Sequence, residues 1–431
     1  MEVELSAIER NKTWELVRLP PGRRPIGLKW VYKLKRDPDG NVLKHMARIL
    51  LALAGINGWH VHHLDVKSAF LHGKLEEEVY VTQPEGFVQK NKSGLVYKLS
   101  KALYGLRQAP RAWNARLDKH LKLIGFVRCA HEYVVYIRKT NSSLLIVGTY
   151  VDDLIVTGTS KKEIDLFKKE MNQEFEMSDM GLLTYYLGIE VSQKEHGITL
   201  KQTGYAKKLL EKTGMLECNP TETPMEHNLE LTKDESGKPV DATEYRSIVG
   251  GLRYLCHTRP DISYAVGVVS RFLERPTEQH NHAVKRILRY IKGTLNLGLV
   301  YTRSKEKMQI VAYSDNNHAR DVNDRRSTGG MVFYLNKNLV TWNSQKQQCV
   351  ALSSCEAEFM AVNLATCQGI WVRRLVQEIT GEKLGPVTIL IDNKSTLELV
   401  KHPVFHGRSK HIDTRFHFIR ECIVTSLFLK Q

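Results

Sequence analysis

Hydrophobic and polar positions divide the chain into three stretches of different texture. In the first, LKWVYKLKR runs into Asp37-Pro38-Asp39-Gly40 and a short NVLK return, which predicts a β-hairpin. ILLALAGINGW then reads as a helix and VHHLDVKSAF as a strand ending on an aromatic. ALYGLRQAPRAWNARLDKHLKLIGF has the form of a loop entering an amphipathic helix, with Pro110 near its start. LLIVGTYVDDLIVTG is two β-rich halves hinged on Asp152-Asp153, KKEIDLFKKEMNQEF is a helix, and YYLGIEVSQ with GITLKQ predicts a second hairpin. From Pro220 to Val240 the pattern turns polar and turn-rich, as a domain linker would. Asp241 to Leu297 is helical, broken at Thr258-Arg259-Pro260, and its last helix sets Lys285, Arg286, Arg289 and Lys292 along one polar side. From Gln309 the order strand, hairpin, helix, strand, helix predicts an α/β domain.

Composition changes this picture in two ways. The net charge of +16 suits a phosphate-rich partner, because neutralised phosphates release counterions, although a basic protein without such a partner has the same balance. The seven cysteines are scattered without ligand spacing, which argues for a reducing compartment and against a zinc site. The longest apolar run, Ile49 to Ile56, is far too short to span a bilayer, and the charged N-terminus has no apolar signal core. The expectation is a soluble intracellular protein, cytoplasmic (in a virus-like particle) or nuclear, with no secretion signal and no membrane partner.

Candidate chemistry is carried by aspartates. Phosphoryl transfer from a nucleoside triphosphate uses two divalent cations, and hard cations such as Mg²⁺ take carboxylate oxygens. A hairpin tip with two adjacent acids facing a third on a neighbouring strand gathers them: Asp152-Asp153 sits between TYV and LIVTG, and Asp65 sits in an apolar strand. Singly, the pair also fits a solvated turn and Asp65 an ordinary strand-end acid. Their order in one chain, LDVKSAF, LYGLRQAPRAW, YVDD, resembles the reverse transcriptases of copia-type retrotransposons. KTWELVRLPPGRRPIGLKWVYKLKRDPDG, EEEVYVTQPEGF, YLGIEV and YRSIVGGLRYLCHTRPDISYAV extend the likeness over nearly the whole chain. The resemblance implies that Asp65, Asp152 and Asp153 hold the metals and that Phe70 crowds the sugar 2′ position, although core packing also fits Phe70. It implies that Gln108 lies against the incoming nucleotide, that Leu187-Gly188 belongs to the turn gripping the primer end, and that Arg48 is a candidate triphosphate ligand.

A second set of acids lies further on. Asp315 falls in the strand-like KMQIVAYSD; Glu356 and Glu358 open a helix; Asp392 follows the strand VTILI. Ser353 with Glu356 makes a capping box, so Glu358, on another face, is the better metal ligand. Asp392 also fits a cap for the next helix. YSDNNHARDVNDRRSTGG, WNSQKQQCVALSSCEAEFMAV, IDNKST and HPVFHGRSKHIDTRFHFIRE resemble the copia-type RNase H domain, which implies metal binding by Asp315, Glu358 and Asp392. His406, His411 and His417 stand among arginines and suggest nucleic-acid contact rather than metal.

Departures from the family pattern also matter. KHMAR runs straight into ILLALAGINGW, so a fingers block of the relatives has no counterpart, and which side of the gap Arg48 represents is open. The chain ends at TSLFLKQ, before the family's fourth RNase H carboxylate, and His318 stands where tryptophan is usual. The expected fold is an α+β right-hand polymerase (palm, truncated fingers, helical thumb and connection) followed by an α/β RNase H-like domain. Its expected boundaries are 1–219, 220–305 and 306–431. The expected function is RNA-directed DNA polymerase with RNase H, impaired by the missing block, with two Mg²⁺ ions per site or Mn²⁺ in their place. Partners would be an RNA template, a DNA primer, their RNA–DNA hybrid and deoxynucleoside triphosphates. The alternatives are a catalytically silent nucleic-acid-binding remnant and a nuclease whose polymerase half only holds the hybrid.

Overall fold

The computed structural model describes residues 2–28, 41–233, 237–401, 418–422 and 427–430. They form two compact units, Met1–Leu43 with His60–Leu182, and Lys44–Trp59 with Leu183–Gln431. The division at Leu182 differs from the boundary expected at 219–220.

The first unit is built on a six-stranded antiparallel sheet in the order Val127–Arg128, Val135–Lys139, Leu144–Tyr150, Asp153–Gly158, Val61–Val66, Met177–Leu182. Side chains alternate across a strand, so Leu64 and Val66 share one face with Leu154 and Val156. That face packs on the helices Ala109–Leu123 and Lys161–Glu174 through Trp113, Leu117, Leu121, Ile164, Phe167 and Met171. His63, Asp65 and Asp153 fall on the opposite face. A separate three-stranded sheet, Trp14–Val17, Val96–Lys101 and Lys74–Val81, completes the unit.

The second unit holds a four-stranded antiparallel sheet of Tyr185–Tyr186, Ile189–Lys194, Gly197–Lys201 and Leu299–Thr302. The helices Thr203–Lys212, Ala242–Leu255, Ser263–Val269 and Glu278–Gly293 enclose a core of Leu209, Leu210, Val249, Leu252, Val284 and Ile287. Residues expected to be a linker instead pack here: Leu231 is buried, and Met225 and Leu229 lie against the same core. A five-stranded sheet follows in the order Asn338–Lys346, Thr328–Leu335, Ile310–Asn317, Val387–Leu390, Leu427–Lys430. Its first two pairings are antiparallel and its last two parallel. The 27-residue helix Ser354–Thr380 connects the antiparallel half to the parallel half.

One element differs from its sequence expectation. NVLK is the start of a helix, Asn41–Asn57, rather than a return strand. No proline or glycine interrupts NVLKHMARILLALA, so the helical run extends back to residue 41. The other half of the expected hairpin, including the Asp37–Gly40 turn, lies outside the described residues.

Candidate active sites

Asp65 and Asp153 are direct cross-strand partners, which sets their carboxylates side by side on the face opposite the helices Ala109–Leu123 and Lys161–Glu174. Asp152 lies in the turn of the hairpin closed by the pair Tyr150 and Asp153, and its carbonyl accepts a 2.8 Å hydrogen bond from Val66 N. The turn is tight. Val151 takes a φ of 53°, a left-handed conformation costly for a β-branched residue, and the Trp113 indole donates to its carbonyl at 2.5 Å. His63, diagonal to Asp153, is hydrogen-bonded to it through Nε2 and Oδ1 at 2.9 Å. Phe70 is half-buried in the short turn Ala69–His72, at the edge of the helix-backed core, with its ring 4.5 Å from that of Tyr104. Gln108 flanks the start of the helix Ala109–Leu123 and makes no capping bond with its side chain. Asp65, Asp152 and Asp153 do not make a set of three whose ligand oxygens all lie within 4.8 Å.

Leu187, Gly188 and Arg48 belong to the second unit. Leu187 and Gly188 form a two-residue hairpin turn with φ of 49° and 80°, the left-handed pair such turns require. The Tyr254 hydroxyl donates to Leu187 O at 2.8 Å and fixes the turn. Arg48 is only 2 % exposed. It donates to the carbonyls of Val340 and His257 at 3.1 Å each and stacks over Trp342. Burial lowers its pKa to about 10. The guanidinium is thus enclosed by its own unit.

Among the described residues, the three acids whose ligand atoms lie within 4.8 Å of one another are Asp315, Glu358 and Asp392. The strand Ile310–Asn317 supplies Asp315, the helix Ser354–Thr380 supplies Glu358, and Asp392 follows the strand Val387–Leu390. Glu356 is occupied as expected: Ser353 accepts from Glu356 N at 3.1 Å, while the Glu356 carboxylate accepts from Leu352 N at 2.8 Å. Asn393 rather than Asp392 caps the following helix, accepting from Thr396 N at 3.1 Å. Glu358 is 2 % exposed. Burial foremost, with the charges of Asp392 and Asp315, pushes its carboxyl up to about 7, against the lowering effect of a hydrogen bond from Asn316. Glu358 Oε1 is buried with no protein partner. A hard divalent cation fits this pocket, since it would satisfy that oxygen and offset three converging carboxylates.

Comparison with known proteins agrees with the first sheet. Residues 40–227 match the family model described as reverse transcriptase (RNA-dependent DNA polymerase). The chain is 36 % identical to a putative transposon Ty5-1 protein of Saccharomyces cerevisiae, over 70 % of this chain and 98 % of that protein. It belongs to the copia-type retrotransposon reverse transcriptases. Within that family it is 37 % identical to the retrovirus-related Pol polyprotein from transposon RE1 of Arabidopsis thaliana, across 97 % of this chain and 31 % of the polyprotein. Against the corresponding polyprotein from transposon TNT 1-94 of Nicotiana tabacum the identity is 36 %, across 98 % and 34 %. The chain thus spans about a third of the length of these plant relatives. The fold is similar to that of a foamy viral protease-reverse transcriptase solved in complex with RNA/DNA hybrid. The TM-score there is 0.51 at 13 % identity, covering 86 % of this chain and 44 % of that one.

Several residues at the candidate sites were not singled out from sequence. His63 had a signal, two positions before Asp65 on the same strand face, and Asn316 had one in adjoining Asp315. Tyr254 had none, since its partner is 67 residues away. The basic helix Glu278–Gly293 is also less available than its spacing implied. Arg286 pairs with Glu226 and Thr223, and Arg289 donates to Asn219 O, which leaves His282 and Lys285 as its exposed basic side chains. His406, His411 and His417 lie outside the described residues.

Proposed function

We propose that this chain copies RNA into DNA at Asp65, Asp152 and Asp153 and cuts the RNA strand of the resulting hybrid at Asp315, Glu358 and Asp392. The observation that carries the first activity is the facing pair Asp65 and Asp153 beside a strained turn bearing Asp152, in a chain of the reverse transcriptase family. The second is supported by the three-acid pocket on a sheet of three antiparallel and two parallel strands served by one long helix. Mg²⁺, or Mn²⁺ in its place, held by these carboxylates would activate the attacking oxygen and neutralise charge on the leaving one. Phe70 would stand against the 2′ position of the incoming deoxynucleoside triphosphate, Gln108 beside it, and the Leu187-Gly188 turn against the DNA primer end. The net charge of +16 suits an RNA template and RNA–DNA hybrid, the ligand class of the foamy viral neighbour.

Extension by this copy is proposed to be slow. Arg48 is enclosed, and the RE1 alignment needs 449 positions for 97 % of this 431-residue chain, so some of the relative has no counterpart here. A silent nucleic-acid-binding remnant is the second reading; Asp153 held by His63 favours it. Extension of a primed RNA template separates the two. Asp65→Asn or Asp153→Asn should abolish extension while hybrid binding stays within about twofold, since phosphate contacts lie elsewhere. A parent chain that binds hybrid and never extends it would favour the remnant.

A further inference from the structure

We infer that Asn316 is a positioning residue for the acidic pocket: its amide holds Glu358 so that one carboxylate oxygen is kept for a divalent cation. The inference rests on the proposed metal-binding role of Asp315, Glu358 and Asp392.

Alternation along the strand Ile310–Asn317 puts Ala312, Ser314 and Asn316 on one face and Tyr313 and Asp315 on the other. Ala312 and Ser314 are buried and Asn316 is half-buried, whereas Tyr313 and Asp315 are exposed. Glu358, at 2 % exposure, therefore approaches from the side of Asn316, and the Asp315 carboxylate reaches the same group of ligand atoms from the strand's other face. Without a donor on its own side, a buried carboxylate facing Asp315 and Asp392 would turn away from both. Asn316 supplies that donor: Nδ2 hydrogen-bonds Glu358 Oε2. Against ionised Glu358 the amide must present its NH₂ group, since a carboxylate oxygen only accepts. Oε2 is thereby occupied, and Oε1 remains buried without a hydrogen-bond partner, on a side chain that belongs to the group of three acids. The backbone adds to the arrangement, because Asn316 N donates to Asp315 Oδ1 at 2.6 Å and orients the second ligand. One residue thus bonds two of the three carboxylates. Its one signal in the sequence was that it adjoins Asp315.

Hydrogen-bonding partners behind metal ligands typically contribute about 10–100-fold to affinity. The test measures Mn²⁺ binding by electron paramagnetic resonance in the full chain carrying Asp65→Asn and Asp153→Asn, so that the acidic pocket dominates. In that background Asn316→Ala should weaken Mn²⁺ binding by about 10–100-fold. Asn316→Gln, which keeps an amide donor, should recover part of the loss. Thermal melts in metal-free buffer report whether each variant folds, and if the alanine variant does not, the Gln variant alone must show an intermediate affinity. Affinity unchanged in Asn316→Ala overturns the inference and leaves the pocket standing. Binding already insensitive to Asp315→Asn and Glu358→Gln overturns the pocket itself, and the inference with it.

Discussion

Glu358 holds a proton at acidities where an ordinary carboxyl has lost it. Its pKa is pushed up to about 7 by burial and by two neighbouring carboxylates. A raised folded-state pKa contributes stability below the ordinary carboxyl range, and that contribution is lost as pH rises through about 7. Metal-free protein should therefore lose stability between pH 5 and pH 8, other groups being equal, and Glu358→Gln should flatten this dependence. Metal binding requires the deprotonated form, so the rise in melting temperature on adding Mg²⁺ should be small at pH 6 and larger at pH 8. Thermal melts at the two pH values check this. Equal Mg²⁺ shifts at both would mean that Glu358 does not meet the ion. At this scale, the choice of Glu358 over Glu356 was legible because a capping box is a local pattern. The burial that raises the Glu358 pKa was not, because it comes from strands distant in sequence.

Among elements, the Leu187-Gly188 turn depends on Tyr254. A Cβ on Gly188 would lie 1.5 Å from the Tyr254 hydroxyl, and the φ of 80° disfavours any side chain. Tyr254→Phe should cost about 1 kcal/mol for the lost hydrogen bond to Leu187 O. Gly188→Ala should cost more, and less in the Tyr254→Phe background than in the parent, because the closest clashing atom is then gone. Denaturant melts of the two single variants and the double variant measure the coupling; strictly additive costs would contradict it. The hairpins and helices around this turn were legible from period and turn residues. The 41–57 helix was misread because a hairpin turn was assumed to need a return strand, although the residues after it run on without a breaker. The surroundings of Arg48, Arg286 and Arg289 were not legible for another reason. Their partners are carbonyls and side chains 60 to 292 residues away, and spacing cannot reveal those.

For the whole molecule, the two sets of acids belong to different compact units, Asp65 and Asp153 to the first, Asp315, Glu358 and Asp392 to the second. Each set is held by its own sheet, and under the proposed function the two are separate centres, one for extension and one for cleavage. That claim is tested most directly on a single molecule type: end-labelled RNA annealed to a shorter DNA primer, with excess enzyme and Mg²⁺. DNA extension and RNA cleavage are then read from the same reaction. The account predicts that Asp153→Asn stops extension and leaves cleavage within about threefold, and that Glu358→Gln does the reverse, because removing one carboxylate disables only the metals it would hold. Loss of both activities from either substitution, or of neither from both, would contradict it.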